Sequence, residues 1–174
     1  IRRDVRGVLL DIDDTLTTDG RLTANAYNAI ERLQKSGKLI VPVTGRPAGW
    51  CDHMARMWPI DGIVGENGAF YFCYNYNARK MTRRYQMDDQ EILENRRKLE
   101  VIGNEIVSAV PGARIAADQQ YRETDLAIDF REDLPELGRS GVQRIIQLMK
   151  EAGLTTKVSS IHVNGWFGNY DKLT

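Results

Sequence analysis

Cysteine is scarce in this chain of 174 residues, with only Cys51 and Cys73 present. Two thiols cannot build a disulfide framework, and their spacing matches no metal-ligand pattern, so both are expected as free thiols in a reducing compartment. Net charge is lacking too. Lys plus Arg and Asp plus Glu number 24 each, so no whole-protein field draws in nucleic acid or an anionic membrane. The stretches "RKMTRR" and "ENRRK" are short or interleaved with acids and read as solvated faces. There is no apolar run of bilayer length, no signal-peptide pattern, no internal repeat and no low-complexity linker. The expectation is a cytoplasmic protein with neither nucleic acid nor membrane as partner. The chain opens on Ile1, not Met, so a trimmed or processed start is expected.

What is present is 42% hydrophobic residues, enough for a core, at a length suited to one domain or a core with a smaller insertion. Val5 to Leu10 is an apolar run typical of a parallel strand covered on both faces. Thr23 caps a predicted helix with Ala26, Ile30 and Leu33 on one face, stopped by Gly37. "LIVPV" (39–43) reads as a second strand despite Pro42, which lacks a ladder donor. Pro47 falls in the first turn of a helix carrying Trp50, Met54 and Met57, which Pro59 ends. "GIV" (62–64) is a third strand. Strand and helix alternate, which predicts a right-handed parallel α/β sheet. After "GENGA" the texture changes. A hairpin through Asn77-Ala78-Arg79, a helix from Asp88 to Ala109, a strand over 124–130, a helix ending at Gly153 and a strand in "SSIHVNGWF" together suggest an inserted α+β module.

The first predicted strand ends in "DIDDTLTTDG", where Asp11 and Asp13 share one side of an extended chain. A calcium loop of the EF-hand type is excluded, because that pattern needs Gly sixth and Glu twelfth. Counted from Asp11 those positions hold Leu16 and Leu22, and counted from Asp13 they hold Thr18 and Ala24. At the carboxyl end of a parallel strand, ligands bind. Two carboxylates there can share Mg²⁺, which takes few protein oxygens and leaves room for phosphate. One carboxylate could then attack phosphorus and the other exchange a proton. Asp19-Gly20 reads as a plain turn.

These residues resemble the haloacid dehalogenase (HAD) superfamily. "VLLDIDDTLT" is similar to its first motif, "VPVTGRP" to its second, and "WFGNYDK" to its third. "GENGA" resembles the subgroup with a type IIB cap, which includes sucrose-phosphate and other sugar-phosphate phosphatases, mannosyl-phosphoglycerate phosphatase and archaeal phosphoglycolate phosphatase. The resemblance implies a Rossmann-like parallel core over 1–69, an α+β cap between the second and third motifs over 70–168, and a return to the core at 169–174. It implies Asp11 as nucleophile, Asp13 as general acid and base, and both as ligands of Mg²⁺. It further implies Thr44 and the Gly45 amide as phosphate binders at a helix start, and Lys172 as the cation beside phosphate and Asp11. Arg46, Asn67, Arg122 and His162 are candidate substrate contacts. For Arg122 and His162 a salt-bridged arginine and a satisfied core histidine are the alternatives.

The superfamily's fourth motif, Gly-Asp-x-x-x-Asp after a further strand, is absent. The C-terminal core strands are therefore expected to be missing, leaving the first strand at an open edge that a further segment of a longer polypeptide, or another chain, would complete. The implied function is an Mg²⁺-dependent phosphatase acting on a small phosphorylated metabolite, of the sugar phosphate or phosphoglycolate type, through an aspartyl-phosphate. By itself this stretch is expected to be inactive. The alternatives are a phosphomannomutase-like phosphotransferase and a non-catalytic module on the same fold.

Overall fold

The computed structural model describes residues 5–172. The chain divides into two compact units, one of Ile1–Gln86 with Tyr170–Thr174 and one of Met87–Asn169.

The first unit runs through β1 (Gly7–Leu10), β2 (Thr17–Thr18), β3 (Arg21–Leu22), α1 (Ala24–Lys35), β4 (Leu39–Pro42), α2 (Ala48–Met57), β5 (Ile63–Gly65), β6 (Phe70–Asn75) and β7 (Lys80–Tyr85). β1 and β4 pair in parallel, Gly7 opposite Leu39 and Leu10 opposite Pro42, and a parallel bridge from Val43 to Val64 brings in β5. Pro42 is tolerated because its nitrogen lies on the side away from β1. The amides of Leu39 and Val43 serve β1, while Ile40 N–H donates to Asp61 Oδ2 at 2.8 Å on the other side. Thr23 Oγ1 accepts the Ala26 amide at 3.2 Å and so starts α1. The Asp19-Gly20 turn joins β2 to β3 with φ of 49° and 70°, the left-handed pair that a two-residue hairpin requires.

Three expectations change here. The first strand starts at Gly7, and Val5 lies outside it at 41% exposure. Nor is the strand covered on both faces: Leu9 and Leu39 share a face and stand 73% and 57% exposed, while Ile40 on the opposite face is fully buried. Among the described residues β1 pairs only with β4. On α2, Ala48, Cys51, Met54 and Ala55 form the buried face, whereas Trp50 and Met57 are exposed. Of its large apolar side chains only Met54 lies on the inner face, beside small residues, with Cys51 Sγ close against Gly65. The hairpin β6–β7, where the sequence texture changes, continues antiparallel from β5 and clusters with the first unit.

The second unit contains α3 (Asp89–Ala109), β8 (Arg114–Ile115), β9 (Asp125–Asp129), α4 (Arg139–Glu151), β10 (Thr155–Val158) and β11 (His162–Trp166), its antiparallel strands ordered β10-β11-β9-β8. A capping box begins α3: Glu91 N–H donates to Asp88 Oδ1 and Asp88 N–H to Glu91 Oε2. Leu126, Ile128 and Val163 face a core completed by Leu99 and Ile106 of α3 and Ile145 and Met149 of α4. Alternation sends Asp125, Asp129, His162 and Asn164 to the opposite face, where all four are buried. Among the described residues no helix is long and apolar enough to cross a membrane.

Candidate active site

The chain turns sharply as it leaves β1. Ile12 is buried, and its carbonyl accepts the amides of Leu16 and Thr17, both at 2.9 Å, and the Thr17 hydroxyl at 3.1 Å. This turn places Asp14 at φ 58°, a conformation aspartate tolerates, and leaves Asp11 and Asp13 half-buried on either side of Ile12. Asp11 Oδ1 accepts the Ile12 amide at 2.8 Å. Its Oδ2 lies 2.6 Å from Lys172 Nζ, a contact between residues 161 positions apart. Asp13 is gripped by Arg46, whose Nε lies 3.1 and 3.2 Å from the two carboxylate oxygens and whose Nη2 lies 2.7 Å from Oδ1. The Arg46 guanidinium also sits 4.7 Å from the Trp50 ring centre, which explains a tryptophan on the outer side of α2.

Thr44 follows β4 and is fully buried. Its amide donates to Val64 O at 2.9 Å, its carbonyl accepts the Asn67 amide at 3.1 Å, and its hydroxyl accepts the Arg46 amide at 3.1 Å. The expectation that Thr44 and Gly45 stand at the helix start is corrected. α2 begins at Ala48 behind Pro47, and the Ala48 amide is already taken by Glu66 Oε1 at 2.9 Å. Thr44 and Gly45 belong to the loop before the helix. That loop faces a second one, in which Glu66, Asn67 and Gly68 take φ of 42°, 59° and 110° in succession. A Cβ on Gly68 would overlap the Asp171 carbonyl, so the second loop also touches the segment that carries Lys172. The Asn67 carboxamide lies over Gly45, where a Cβ would stand 3.1 Å from its Oδ1.

The other two candidates lie in the second unit. Arg122 is buried and doubly paired, with Nη1 2.9 Å from Asp125 Oδ1 and Nη2 2.9 Å from Asp118 Oδ2. Asn164 Nδ2 donates to Asp125 Oδ2 at 2.9 Å and extends this network. His162 Nε2 is 2.9 Å from Glu132 Oε2 but outside hydrogen-bond geometry, so it is close to an acid without being satisfied by it. Burial, reinforced by the nearby Arg122 charge, holds the His162 pKa below its ordinary 6.5. Burial pushes Asp129 up, but the amides of Asp133, Glu132 and Arg131 donate to its carboxylate and bring its pKa below 3.8.

Residues 8–110, more than half of the chain, match the family profile described as haloacid dehalogenase-like hydrolase. The chain belongs to this hydrolase family. No curated protein matches it. Among solved structures, protein 0175 of Thermoplasma acidophilum is similar to this hydrolase at a TM-score of 0.72 and 16% identity, over 97% of this chain and 67% of that one. A trehalose-6-phosphate phosphatase related protein gives 0.62 and 18%, over 94% and 69%. The HAD subclass IIB sugar phosphatase BT4131 gives 0.52 and 14%, over 96% and 72%. At these identities the likeness is one of fold, and the chain spans about two thirds of each structure's length.

In this hydrolase two pairings were invisible to sequence reasoning. Nothing in "GENGA" signals that Glu66 reaches back to cap Ala48, nor in "TGRP" that Arg46 reaches Asp13; both contacts join separate segments. As a metal site, Asp11 and Asp13 offer hard carboxylate oxygens on one turn, the donor type suited to Mg²⁺. No group of three or more His, Cys, Asp or Glu side chains is placed to hold a metal among the described residues. The fit is that of a partial coordination shell, which Mg²⁺ accepts when phosphate and water fill the rest.

Proposed function

We propose that this hydrolase is a phosphatase of small phosphorylated metabolites, of the sugar phosphate or phosphoglycolate type, working through an aspartyl-phosphate on Asp11. The observation that carries the reading is the 2.6 Å contact of Lys172 Nζ with Asp11 Oδ2. A lysine brought across 161 positions onto the first carboxylate of the turn supplies the charge an incoming phosphate needs.

In this mechanism an Asp11 oxygen forms a bond to phosphorus while the bond from phosphorus to the ester oxygen breaks. Asp13 gives that oxygen its proton. Water then attacks the phosphorus of the acyl phosphate, Asp13 takes the water proton, and phosphate leaves with Asp11 restored. Arg46 holds both oxygens of Asp13, so proton transfer requires one of them to be released from the guanidinium. Thr44 and the Gly45 amide would bind the non-bridging oxygens. Asp11 and Asp13 would hold Mg²⁺, which when bound neutralises the phosphoryl charge. Arg122 and His162 would act in substrate choice.

The test is phosphate release by the intact polypeptide across a panel of phosphorylated metabolites, with and without Mg²⁺. Mg²⁺-dependent release that Asp11→Asn abolishes is expected. Transfer to a sugar monophosphate only when a sugar bisphosphate is supplied would reveal a mutase, and no turnover of any kind would indicate a non-catalytic module.

A further inference from the structure

We propose that the Asn67 side-chain amide is a direct donor to the phosphate group of the substrate, acting beside Thr44 and Gly45. The assignment rests on the phosphatase reading above and adds a residue to that site.

Three observations converge on Asn67. Its Nδ2 is buried without a hydrogen-bond partner, in a residue only 4% exposed. Buried amide donors are almost always satisfied, so an orphan in a loop this constrained calls for an absent acceptor. The carboxamide also lies directly over the Gly45 backbone, with its Oδ1 and Nδ2 3.1 and 3.4 Å from where a Cβ would stand. Any side chain at position 45 would meet the amide that the loop places there. Finally, the backbone holds the amide in place at a conformational cost. Glu66 and Asn67 are consecutive non-glycine residues at positive φ, each in a fully or nearly fully buried position. The Asn67 amide N–H fastens this turn to Thr44 O, and Gly68 presses it against Asp171, next to Lys172. Strained backbone of this kind persists where the surroundings over-determine it, and here they fix a donor between the Thr44 loop and the lysine segment.

The acceptor best matched to this position is a tetrahedral oxyanion. An oxygen of the phosphate bound at Thr44 and Gly45 would satisfy Nδ2, and the donor would already be oriented before substrate arrives.

The experiment uses Asn67→Gly and Asn67→Asp in the intact protein. Glycine takes the positive φ freely, so this variant removes the amide while relaxing the backbone. Aspartate keeps size and backbone tolerance but replaces the donor with a negative oxygen. The readouts are kcat/KM on p-nitrophenyl phosphate, inhibition by inorganic phosphate, and the melting temperature. With a phosphate donor lost, kcat/KM should fall about a hundredfold in Asn67→Gly. Phosphate inhibition should weaken in parallel, and Asn67→Asp should be worse than Asn67→Gly on both. A purely structural role would move the melting temperature and leave phosphate inhibition unchanged. If either variant retains activity and phosphate inhibition within about threefold of wild type, the assignment is overturned while the phosphatase reading stands. If the wild-type protein neither binds inorganic phosphate nor releases it from p-nitrophenyl phosphate, both fall together.

Discussion

Replacing Asp11 with asparagine separates chemistry from stability at one atom. Asn Oδ1 can still accept the Ile12 amide that Asp11 Oδ1 now receives at 2.8 Å. The other position changes from an acceptor 2.6 Å from Lys172 Nζ to an NH₂ group, so two donors would face each other and the lysine would turn to water. The Asp11 and Lys172 side chains are 39% and 29% exposed, so solvent already screens much of their attraction. Such a pair is worth about 0.2–1 kcal/mol. Relief of carboxylate repulsion offsets little of this loss, because Asp13 is already neutralised by Arg46. The expected fall in melting temperature is then no more than about 4 °C for a chain of this size. Turnover should fall by at least about 10⁴-fold, since the amide cannot attack phosphorus. Scanning calorimetry and phosphate release on the same preparation measure both. Turnover within tenfold of wild type would refute the nucleophile, and a drop beyond about 8 °C would refute the weak ion pair.

Gly68→Ala should force the Asp171 carbonyl away and loosen Lys172 from Asp11, costing about 1–3 kcal/mol in a denaturant melt and most of the turnover. Glu66→Ala leaves the Ala48 amide without its carboxylate and should cost about 1.5–3 kcal/mol, while Glu66→Gln, which keeps an acceptor, should cost less. In acid, the unfolded chain protonates His162 near 6.5 whereas the native site resists until lower pH, so stability should decline as pH falls below 6.5. The Asp129 contribution, present above 3.8, is lost only at lower pH still, as pH falls through its native value. Urea melts from about pH 7.5 to 4.5 should show a slope of up to about 1.4 kcal/mol per unit from the histidine, which His162→Gln removes. Arg122→Ala and His162→Ala should damage turnover of the physiological substrate far more than that of p-nitrophenyl phosphate, and equal losses would indicate packing alone.

Local chemistry made much of the fold readable. Thr23, the helix start at Asp88, Asp19-Gly20 and the alternation of strand and helix each act within a few residues, and each appears where the pattern places it. Asp11 and Lys172, which belong to separate motifs, lie 2.6 Å apart. What sequence could not show depends on non-local packing. The inner face of α2 carries Ala48, Cys51 and Ala55 beside Met54, and the size of Trp50 and Met57 does not mark it. The left-handed run at Glu66 and Asn67 is held by contacts from Thr44 and Arg46, and neither residue type announces it. Short strands such as β8, with two residues, carry too little pattern to be read at all.

The 161 positions between Asp11 and Lys172 also have a meaning in time. At about 5–20 residues per second, a ribosome needs on the order of 8–30 s to make the intervening chain. The second unit, whose core is built from its own residues, can fold within that interval. Throughout it Asp11 lacks its contact with Lys172. A residue made long after Asp11 is therefore the one that finishes its turn. Conditions that slow translation between Asp11 and Lys172 should prolong the state in which the turn lacks its lysine, without altering the native protein.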